Sequence, residues 1–321
     1  MKKIVLGCLL AMAATSATAG VIRHDRDDAD YLAMAQESQF DSVGALTYTT
    51  DAGRWICSGT VIDYSYVVTA AHCLDDATTR DVAFSVGGEV YSGARWAVHD
   101  EWFNQFTLFD GYDIALLKLD RGVYNVGQAS LYTGSSEIGQ VGTHVGFGAT
   151  GTGLNGQTLG AGTKRAGHNE IDEFDLAGRG HERVLWNDFD APLGTDPADM
   201  APGSDPDQFY IENPIGAFGL ISGTALDMEY LIGGGDSGGG YFLQENGNWF
   251  LAGIHSFGAS IDANGPNSTY GDFSGSTRVS LFTDWVSQTQ ATLAVPEPTS
   301  IMLFGTALLG LAGIRRKAKK A

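Results

Sequence analysis

Residues that could carry nucleophilic catalysis occur at three separated places in the chain. Ser237 lies in G-G-G-D-S-G-G-G at 233–240, where glycines let the backbone turn sharply and approach a ligand closely. A serine hydroxyl is a weak nucleophile and needs a base beside it. His72, in T-A-A-H-C at 69–73, offers that base, and Asp113, in D-I-A-L-L at 113–117, offers a carboxylate to orient it. The three residue types together predict acyl transfer.

The order of these three motifs along the chain carries further information. His72, then Asp113, then Ser237 is one of the chain orders in which a Ser-His-Asp triad is found. With the segments 146–148, 253–258 and 277–280, the motifs resemble the trypsin/chymotrypsin family of serine proteases, from about Ser42 to about Gln288. The resemblance implies an all-β fold of two barrels with a C-terminal helix. It also implies a secreted serine endopeptidase acting through an acyl-enzyme intermediate.

The resemblance assigns roles to single residues. His72 would be the general base and then the general acid, and Asp113 would hold its imidazole in the correct tautomer. Nearby Asp110 is a competitor, but the Ile-Ala-Leu-Leu strand that would bury the carboxylate follows Asp113. An oxyanion hole would be formed by the backbone N–H groups of Gly235 and Ser237. The remaining substrate-binding residues would be Leu231, Ile232, Ser256, Phe257 and Gly258, with Ser256 also supporting Asp113.

The position six residues before the serine predicts the preferred substrate side chain. Trypsin-like members place an acidic residue there, whereas this chain has Leu231 followed by Ile232. A substrate Lys or Arg would bury its charge against hydrocarbon, which is costly, so we expect a preference for Leu, Met, Phe or smaller apolar residues. Glu229 or Asp272 reaching into the pocket would restore a negative charge. Alternatively, Leu231 and Ile232 simply pack in the second barrel.

Activation is left open by the residue before the proposed nucleophile, Asp236. The resemblance implies that it pairs with a new N-terminal amine released from a zymogen. The chain lacks the glycine-rich start that usually supplies this amine. Either Gly20 or Val21 reaches Asp236, or another group, such as Arg23 or His24, replaces the amine.

The two ends of the chain indicate export. Residues 1–19 combine a basic start, an apolar run and the small-x-small site Ala17-Thr-Ala19, which is typical of a signal peptide removed by signal peptidase. Val295-Pro-Glu-Pro298 is followed by an apolar run and a basic cluster, and resembles the PEP-CTERM sorting tail of Gram-negative bacteria. That tail implies transient inner-membrane contact through a transmembrane helix and removal by an exosortase; a plain anchor is the alternative. The destination would be the periplasm, the cell envelope or the exterior.

The domain organisation follows from these boundaries. Short apolar runs separated by glycines predict many strands, and one helix is predicted at 280–292. We expect a signal peptide at 1–19, an N-terminal extension at 20–41, a peptidase domain at 42–292 whose barrels divide near 120–140, and a sorting segment at 295–321.

Charge and cysteine count narrow the function classes. The net charge of −19 argues against binding nucleic acid. Two cysteines, Cys57 and Cys73, remain in the body, and an even count in an exported chain indicates one disulfide. The resemblance also implies a bridge at these positions. A metal site at Cys73 and His72 lacks further thiolates.

No cofactor is expected. A calcium site is one interpretation of the aspartates between positions 188 and 207, because hard cations take several carboxylate oxygens. A solvated acidic loop is the other interpretation, and the absence of EF-hand spacing favours it.

Two other functions compete with a protease. One is a non-catalytic envelope or matrix protein on a protease scaffold, although such proteins commonly lose a triad residue and none is lost here. The other is a serine esterase of the α/β-hydrolase type, because G-D-S-G-G fits G-x-S-x-G. That fold needs a helix directly after the serine, whereas residues 238–254 are predicted as strands.

Overall fold

The structure is a computed structural model that describes residues 20–105, 107–174, 182–200, 225–259 and 268–294. The predicted signal peptide and the predicted sorting segment lie outside these residues. Within the described ranges, no helix is long and apolar enough to cross a membrane.

The N-terminal segment packs against the rest of the protein. It forms strand β1 (Gly20–Ile22) and helix α1 (Asp28–Met34). The Asp27 side chain caps the first turn by accepting the N–H of Ala29 at 3.0 Å, and acidic residues in that turn complement the helix dipole. Tyr31 on α1 is fully buried, so this segment belongs to the folded body.

The first half of the chain forms a closed barrel with the strand order β2-β3-β4-β7-β6-β5. Closure leaves no exposed sheet edge. Its core is built from buried apolar side chains such as Leu46, Val61, Phe84 and Leu117. The strands are β2 (Val43–Thr50), β3 (Gly53–Asp63), β4 (Tyr66–Thr69), β5 (Arg80–Val86), β6 (Glu89–Val98) and β7 (Ala115–Leu119).

The second half forms a curled seven-stranded sheet with the order β12-β9-β15-β16-β17-β13, and β8 pairs with β16. A bridge between Glu173 and Trp186 brings the chain after β12 to β13, which makes the sheet barrel-like. The strands of this half are β8 (Ser130–Leu131), β9 (Val141–Gly146), β10 (Thr150–Thr152), β11 (Gly156–Leu159), β12 (Arg165–Glu170), β13 (Val184–Asp188), β14 (Tyr230–Leu231), β15 (Gly240–Glu245), β16 (Asn248–Ala259) and β17 (Phe273–Arg278).

A small third sheet incorporates the N-terminal strand. Its order is β11-β10-β1-β14, so β1 lies between two elements of the second half. Val21 pairs with Leu231, and Gly20 pairs with Thr150. Because β14 directly precedes the glycine-rich loop, β1 supports the approach to that loop.

The C-terminal helix α2 (Thr283–Ala294) closes the fold after a short 3-10 turn at Val279–Leu281. It packs against the first barrel, where the Tyr66 hydroxyl donates to the Gln290 carbonyl at 3.0 Å. Lys118 Nζ donates to the Leu293 carbonyl at 3.0 Å, which places a cation at the helix C-terminus. The predicted fold class, two barrel-like sheets with a terminal helix, is confirmed.

Candidate active site

A disulfide fixes the turn that carries His72. β4 ends at Thr69, and a 3-10 turn follows at Ala71–Cys73. Cys73 is bonded to Cys57 on β3, with a Cα–Cα distance of 6.4 Å, so the predicted disulfide is confirmed. Because both sulfurs are bridged, neither offers a thiolate to a metal ion.

Asp113 lies fully buried beside that turn, and its carboxylate accepts three hydrogen bonds. The backbone N–H of His72 donates to Oδ1 at 3.0 Å, and His72 Nδ1 is 2.7 Å from Oδ2. The Ser256 hydroxyl donates to Oδ2 at 2.5 Å. Thr277 Oγ1 donates to the Asp113 carbonyl at 2.9 Å. With its Nδ1–H directed at this carboxylate, the His72 ring presents Nε2 as a proton acceptor.

The electrostatics of His72 are set by burial and by Asp113. Burial alone lowers the pKa of an imidazole, but the charge and hydrogen bond of Asp113 more than offset it. The pKa of His72 is therefore raised above 6.5. Its side chain remains 30 % exposed, so a substrate has access to the ring.

Ser237 lies against the same turn. Its carbonyl accepts the N–H of Ser58 at 2.7 Å and lies 3.9 Å from Cys73 Sγ, one residue beyond His72. A Cβ at Gly238, where φ is +81°, would stand 2.0 Å from Thr69 Oγ1, so only glycine fits beside the serine. Among the described residues, the Ser237 hydroxyl has no hydrogen-bond partner.

The backbone amides of the glycine-rich loop are almost all in use. Those of Gly233 and Gly234 donate to the side chains of Asp236 and Gln157. Those of 236, 238 and 239 donate to backbone carbonyls. In the described part of the chain, the amides of Gly235 and Ser237 donate to no acceptor. These are the two amides that the resemblance assigns to an oxyanion hole.

Ser58 holds the other side of this loop. Its hydroxyl donates to the Gly235 carbonyl at 2.9 Å and accepts the N–H of Phe147 at 2.9 Å. Gly235 itself has φ +105°, a backbone conformation that favours glycine. Sequence reasoning missed both Ser58 and Gln157. The position of Ser58 beside Cys57 was the available signal, and Gln157 carried none.

Asp236 is buried and has three donors. Gly148 N–H donates to Oδ1 at 2.7 Å, while Gly233 N–H and the Tyr230 hydroxyl donate to Oδ2 at 2.8 and 3.2 Å. Burial outweighs these bonds and raises the pKa of Asp236 to about 6.

The N-terminal residues considered as partners of Asp236 have other contacts. Arg23 forms an ion pair with Asp25 and donates to the Leu226 carbonyl at 2.5 Å. The His24 ring lies 2.9 Å from the Tyr270 hydroxyl. Neither Arg23 nor His24 is therefore the group that replaces the amine, because both side chains bond elsewhere.

A cavity of about 220 Å³ opens beside the nucleophile. Asp272 is one of the residues that line this cavity. Its Oδ2 accepts a hydrogen bond from the backbone N–H of Thr269, in the same turn, at 2.9 Å. Glu229 accepts the N–H of Asp190 at 2.7 Å and does not line the cavity. The lining of the cavity includes Ser237 and all of the predicted substrate-binding residues, Leu231, Ile232, Ser256, Phe257 and Gly258.

The acidic segment matches its sequence-based interpretation only in part. Asp188 and Asp190 are buried rather than solvated, whereas Asp196 and Asp199 are exposed. Asp205 and Asp207 lie outside the described residues.

Asp188 and Asp190 lie within 4.8 Å of the carboxyl of Glu229. Burial and then the neighbouring carboxylates raise the pKa of Glu229, and likewise that of Asp172, well above the usual range. Carboxylate oxygens at this spacing are ligands that a hard cation accepts.

Comparisons with known proteins agree with the fold and the motifs. The Trypsin family model matches residues 33–177, and the PEP-CTERM protein-sorting motif matches residues 294–317. Chymotrypsin-C of Bos taurus is 30% identical over 263 residues, which cover 76% of this chain and 82% of the relative. The solved structure of HL collagenase has a TM-score of 0.53 at 21% identity, covering 79% of this chain and 95% of that one, and shows the fold alone.

Other relatives match over shorter segments. Trypsin theta of Drosophila melanogaster is 28% identical over 159 residues, 46% of this chain and 59% of the relative. Chymotrypsin-like elastase family member 1 of Homo sapiens is 32% identical over 97 residues, 28% of this chain and 38% of the relative. The matched segments thus span less than two thirds of these two proteins. The chain belongs to the trypsin family, and its C-terminal tail carries a PEP-CTERM sorting motif.

Proposed function

We propose that this protein is an exported serine endopeptidase that hydrolyses peptide bonds through His72, Asp113 and Ser237. The observation that carries the proposal is the pattern of amide use in the loop at 233–239. Among the residues that the structure describes, each amide of that loop has an acceptor except those of Gly235 and Ser237, which flank the position where an oxyanion would form.

The proposed reaction uses only groups of this chain and a water molecule. Ser237 Oγ attacks the peptide carbonyl while its proton passes to His72 Nε2, and Asp113 stabilises the imidazolium. The amides of 235 and 237 bind the oxyanion. His72 then gives the proton to the leaving amine as the peptide C–N bond breaks. Water, deprotonated by His72, attacks the acyl carbonyl, and His72 returns that proton to Ser237 Oγ as the ester bond breaks. No cofactor is required.

Two alternatives are less well supported. An α/β-hydrolase has a helix after its nucleophile, whereas Ser237 is followed by β15 at Gly240–Glu245. A non-catalytic scaffold would have no need for His72, Asp113 and Ser256 in one hydrogen-bonded row. Purified protein incubated with an unfolded protein substrate tests the proposal: we expect new peptide N-termini, and none after fluorophosphonate treatment. Intact substrate under conditions where the protein is folded would favour the scaffold.

We also propose where the protein acts. The sorting motif at 294–317 supports export in a Gram-negative bacterium, with signal peptidase and an exosortase as processing partners. The periplasm, the cell envelope and the exterior all fit an acidic, disulfide-bonded body. Its substrates would be proteins or peptides.

Substrate preference is the first prediction from the pocket. Leu231, Ile232 and Phe257 supply apolar walls, so a Leu or Phe side chain before the cut gains burial, whereas Arg is desolvated. We expect matched peptides to show kcat/KM higher by about tenfold or more for Leu or Phe than for Arg. Faster cleavage of the Arg peptide, abolished by Asp272→Asn, would instead assign the pocket's specificity to that carboxylate.

The pH dependence of activity is the second prediction. His72 must be neutral to accept the serine proton, and its pKa is raised, so kcat/KM should rise with pH and reach half its maximum above pH 6.5. Protonation of Asp236, whose pKa is about 6, should also lower kcat/KM at acidic pH. In Asp113→Asn the residual kcat/KM should reach half its maximum at a lower pH than in the wild type, because the charge that raises the pKa of His72 is lost. A wild-type profile that is flat between pH 5 and 8 would exclude His72 as the base.

A further inference from the structure

Two separate segments of the chain line the cavity beside Ser237. One segment, residues 231–234, leads from β14 into the glycine-rich loop, and the other is the turn at 268–272 that precedes β17. The position of these two segments relative to each other sets the shape of the cavity, and with it the substrate side chain that the cavity accepts.

Gln157 contacts both segments from a third element of the fold. It lies on β11, and it also lines the cavity. Its Oε1 accepts the N–H of Gly234 at 2.9 Å, and its Nε2 donates to the Ser268 hydroxyl at 2.9 Å. That hydroxyl donates in turn to the carbonyl of Ile232 at 3.0 Å. We call these three hydrogen bonds the polar bridge, because they join residues 232–234 to Ser268.

Donors and acceptors match throughout the polar bridge. A backbone N–H can only donate, so the carboxamide atom of Gln157 that faces Gly234 must be the oxygen. The NH₂ group then faces Ser268, whose own hydrogen is directed at a carbonyl. Ser268 is buried and has φ +65°, a conformation that favours glycine, so the hydroxyl is present at a position where the backbone disfavours a side chain. Removal of either side chain breaks the connection between the two segments.

The small third sheet holds Gln157 in place. Gln157 pairs with Gly151 on β10, and β10 pairs in turn with β1. The hairpin is tightly closed, since a Cβ at Gly151 would lie 1.9 Å from the carbonyl oxygen of Gly156. The other edge strand of this sheet is β14, which ends at Leu231 in the cavity lining. Gln157 is therefore fixed to the same sheet as the segment that it contacts.

The polar bridge lies one peptide group away from the proposed oxyanion hole. The carbonyl of Gly234 belongs to the same peptide group as the amide of Gly235, and it accepts the N–H of Ala149 at 2.7 Å. The Gly235 amide is thus oriented by Ala149, whereas Gln157 holds the preceding peptide group. Loss of the polar bridge should therefore change the cavity more than the oxyanion hole.

We propose that Gln157, acting together with Ser268, is a specificity-determining residue for the reaction proposed above: the polar bridge holds the cavity in the shape that fits one apolar side chain of the substrate. The inference rests on the proposed function and adds to it a residue outside the catalytic motifs. The substrates that it selects are peptides with Leu, Met or Phe before the cut, because Leu231, Ile232 and Phe257 supply the apolar lining.

The test compares Gln157→Met with Thr158→Val. Methionine is similar in length to glutamine but cannot form the two hydrogen bonds. Thr158 is a matched control, because it is the next residue on the same strand and its side chain is exposed. We expect Gln157→Met to raise KM by about tenfold for a peptide with Leu before the cut, with kcat within about threefold of wild type.

A matched peptide with Gly before the cut identifies the cause of that loss. It places no side chain in the cavity, so its kcat/KM should stay within about threefold of wild type in Gln157→Met, and Thr158→Val should change neither peptide. The ratio of kcat/KM for the Leu peptide to that for the Gly peptide should therefore fall only in Gln157→Met. An equal loss for both peptides, or a ratio equal to that of Thr158→Val, would overturn the proposal.

Ser268→Ala tests the other side chain of the polar bridge. It should lower the same Leu-to-Gly ratio by a similar factor. In the double variant with Gln157→Met the ratio should fall no further, within about threefold, because both residues act through one bridge. Losses that multiply in the double variant would overturn the proposal.

Amide hydrogen exchange separates this inference from the function on which it rests. The Gly234 N–H should exchange about tenfold faster in Gln157→Met than in Thr158→Val, because its acceptor is lost. This difference in a wild-type background that cleaves no peptide would refute the peptidase assignment while confirming that Gln157 holds the cavity lining. Equal exchange in the two variants would overturn the polar bridge, whether or not the protein cleaves peptides.

Discussion

Replacing Ser237 by alanine should lower kcat for peptide hydrolysis by about 10⁴-fold to 10⁶-fold while the protein stays folded. The hydroxyl is the only atom lost, and among the described residues it bonds to no other group, so stability should be nearly unchanged. His72→Ala should cost a similar factor, because the members of a triad act as a unit. The kcat of the double variant should lie within about tenfold of the kcat of either single variant.

The control for this substitution is Ser287→Ala, which removes a serine hydroxyl from the exposed side of α2. We expect wild-type kcat and an unchanged melting temperature in the control. Cleavage by purified Ser237→Ala at a rate near that of the control would end the protease assignment.

The second large effect is expected for Asp113→Asn, with kcat lowered by about 10⁴-fold. An amide in place of the carboxylate offers an N–H to His72 Nδ1, which favours the wrong imidazole tautomer. The Ser256 hydroxyl, 2.5 Å from Oδ2, would also face an altered partner. Turnover measured with the best apolar peptide substrate checks this expectation.

Asp110→Asn is the matched control for that variant. Asp110 lies three residues earlier and is also buried, but its Oδ2 accepts the amide of Thr107 in its own capping box at 3.2 Å. This substitution should reduce kcat by less than about tenfold, because the bond to Thr107 lies within its own turn. A larger loss in Asp110→Asn than in Asp113→Asn would mean that the orienting carboxylate was assigned to the wrong residue.

The strands with clear apolar patterns were predictable from the sequence. Ala115–Leu119 is an apolar run interrupted only by Lys118 and is observed as β7, and the apolar residues between positions 43 and 48 lie in β2. Other strands gave no such signal. β17 (Phe273–Arg278) is fully buried, yet consists largely of Ser, Gly and Thr, and β1 owes its pairing to partners more than 100 residues away. Local sequence does not encode such tertiary pairing.

The candidate site likewise contains some residues that the local sequence indicates and others that it does not. His72, Asp113 and Ser237 each have neighbours in the sequence that must be small or apolar to position them. Their motifs could therefore be recognised in the sequence. The hydrogen bond between Tyr230 and Asp236 could not be predicted, because it depends on a distance that only the folded chain defines. The solvated interpretation is wrong for Asp188 and Asp190, because their burial follows from tertiary packing that their own polarity does not indicate.

Site-resolved covalent labelling tests the central claim most directly. Folded protein treated with a fluorophosphonate should carry one adduct, located on Ser237 by mass spectrometry of its peptides. Labelling should be lost in His72→Ala and in urea-unfolded protein, because the nucleophile needs both its base and the folded loop. Folded wild-type protein that stays unlabelled, or that is labelled at a different serine, would contradict the assignment of Ser237 as an activated nucleophile.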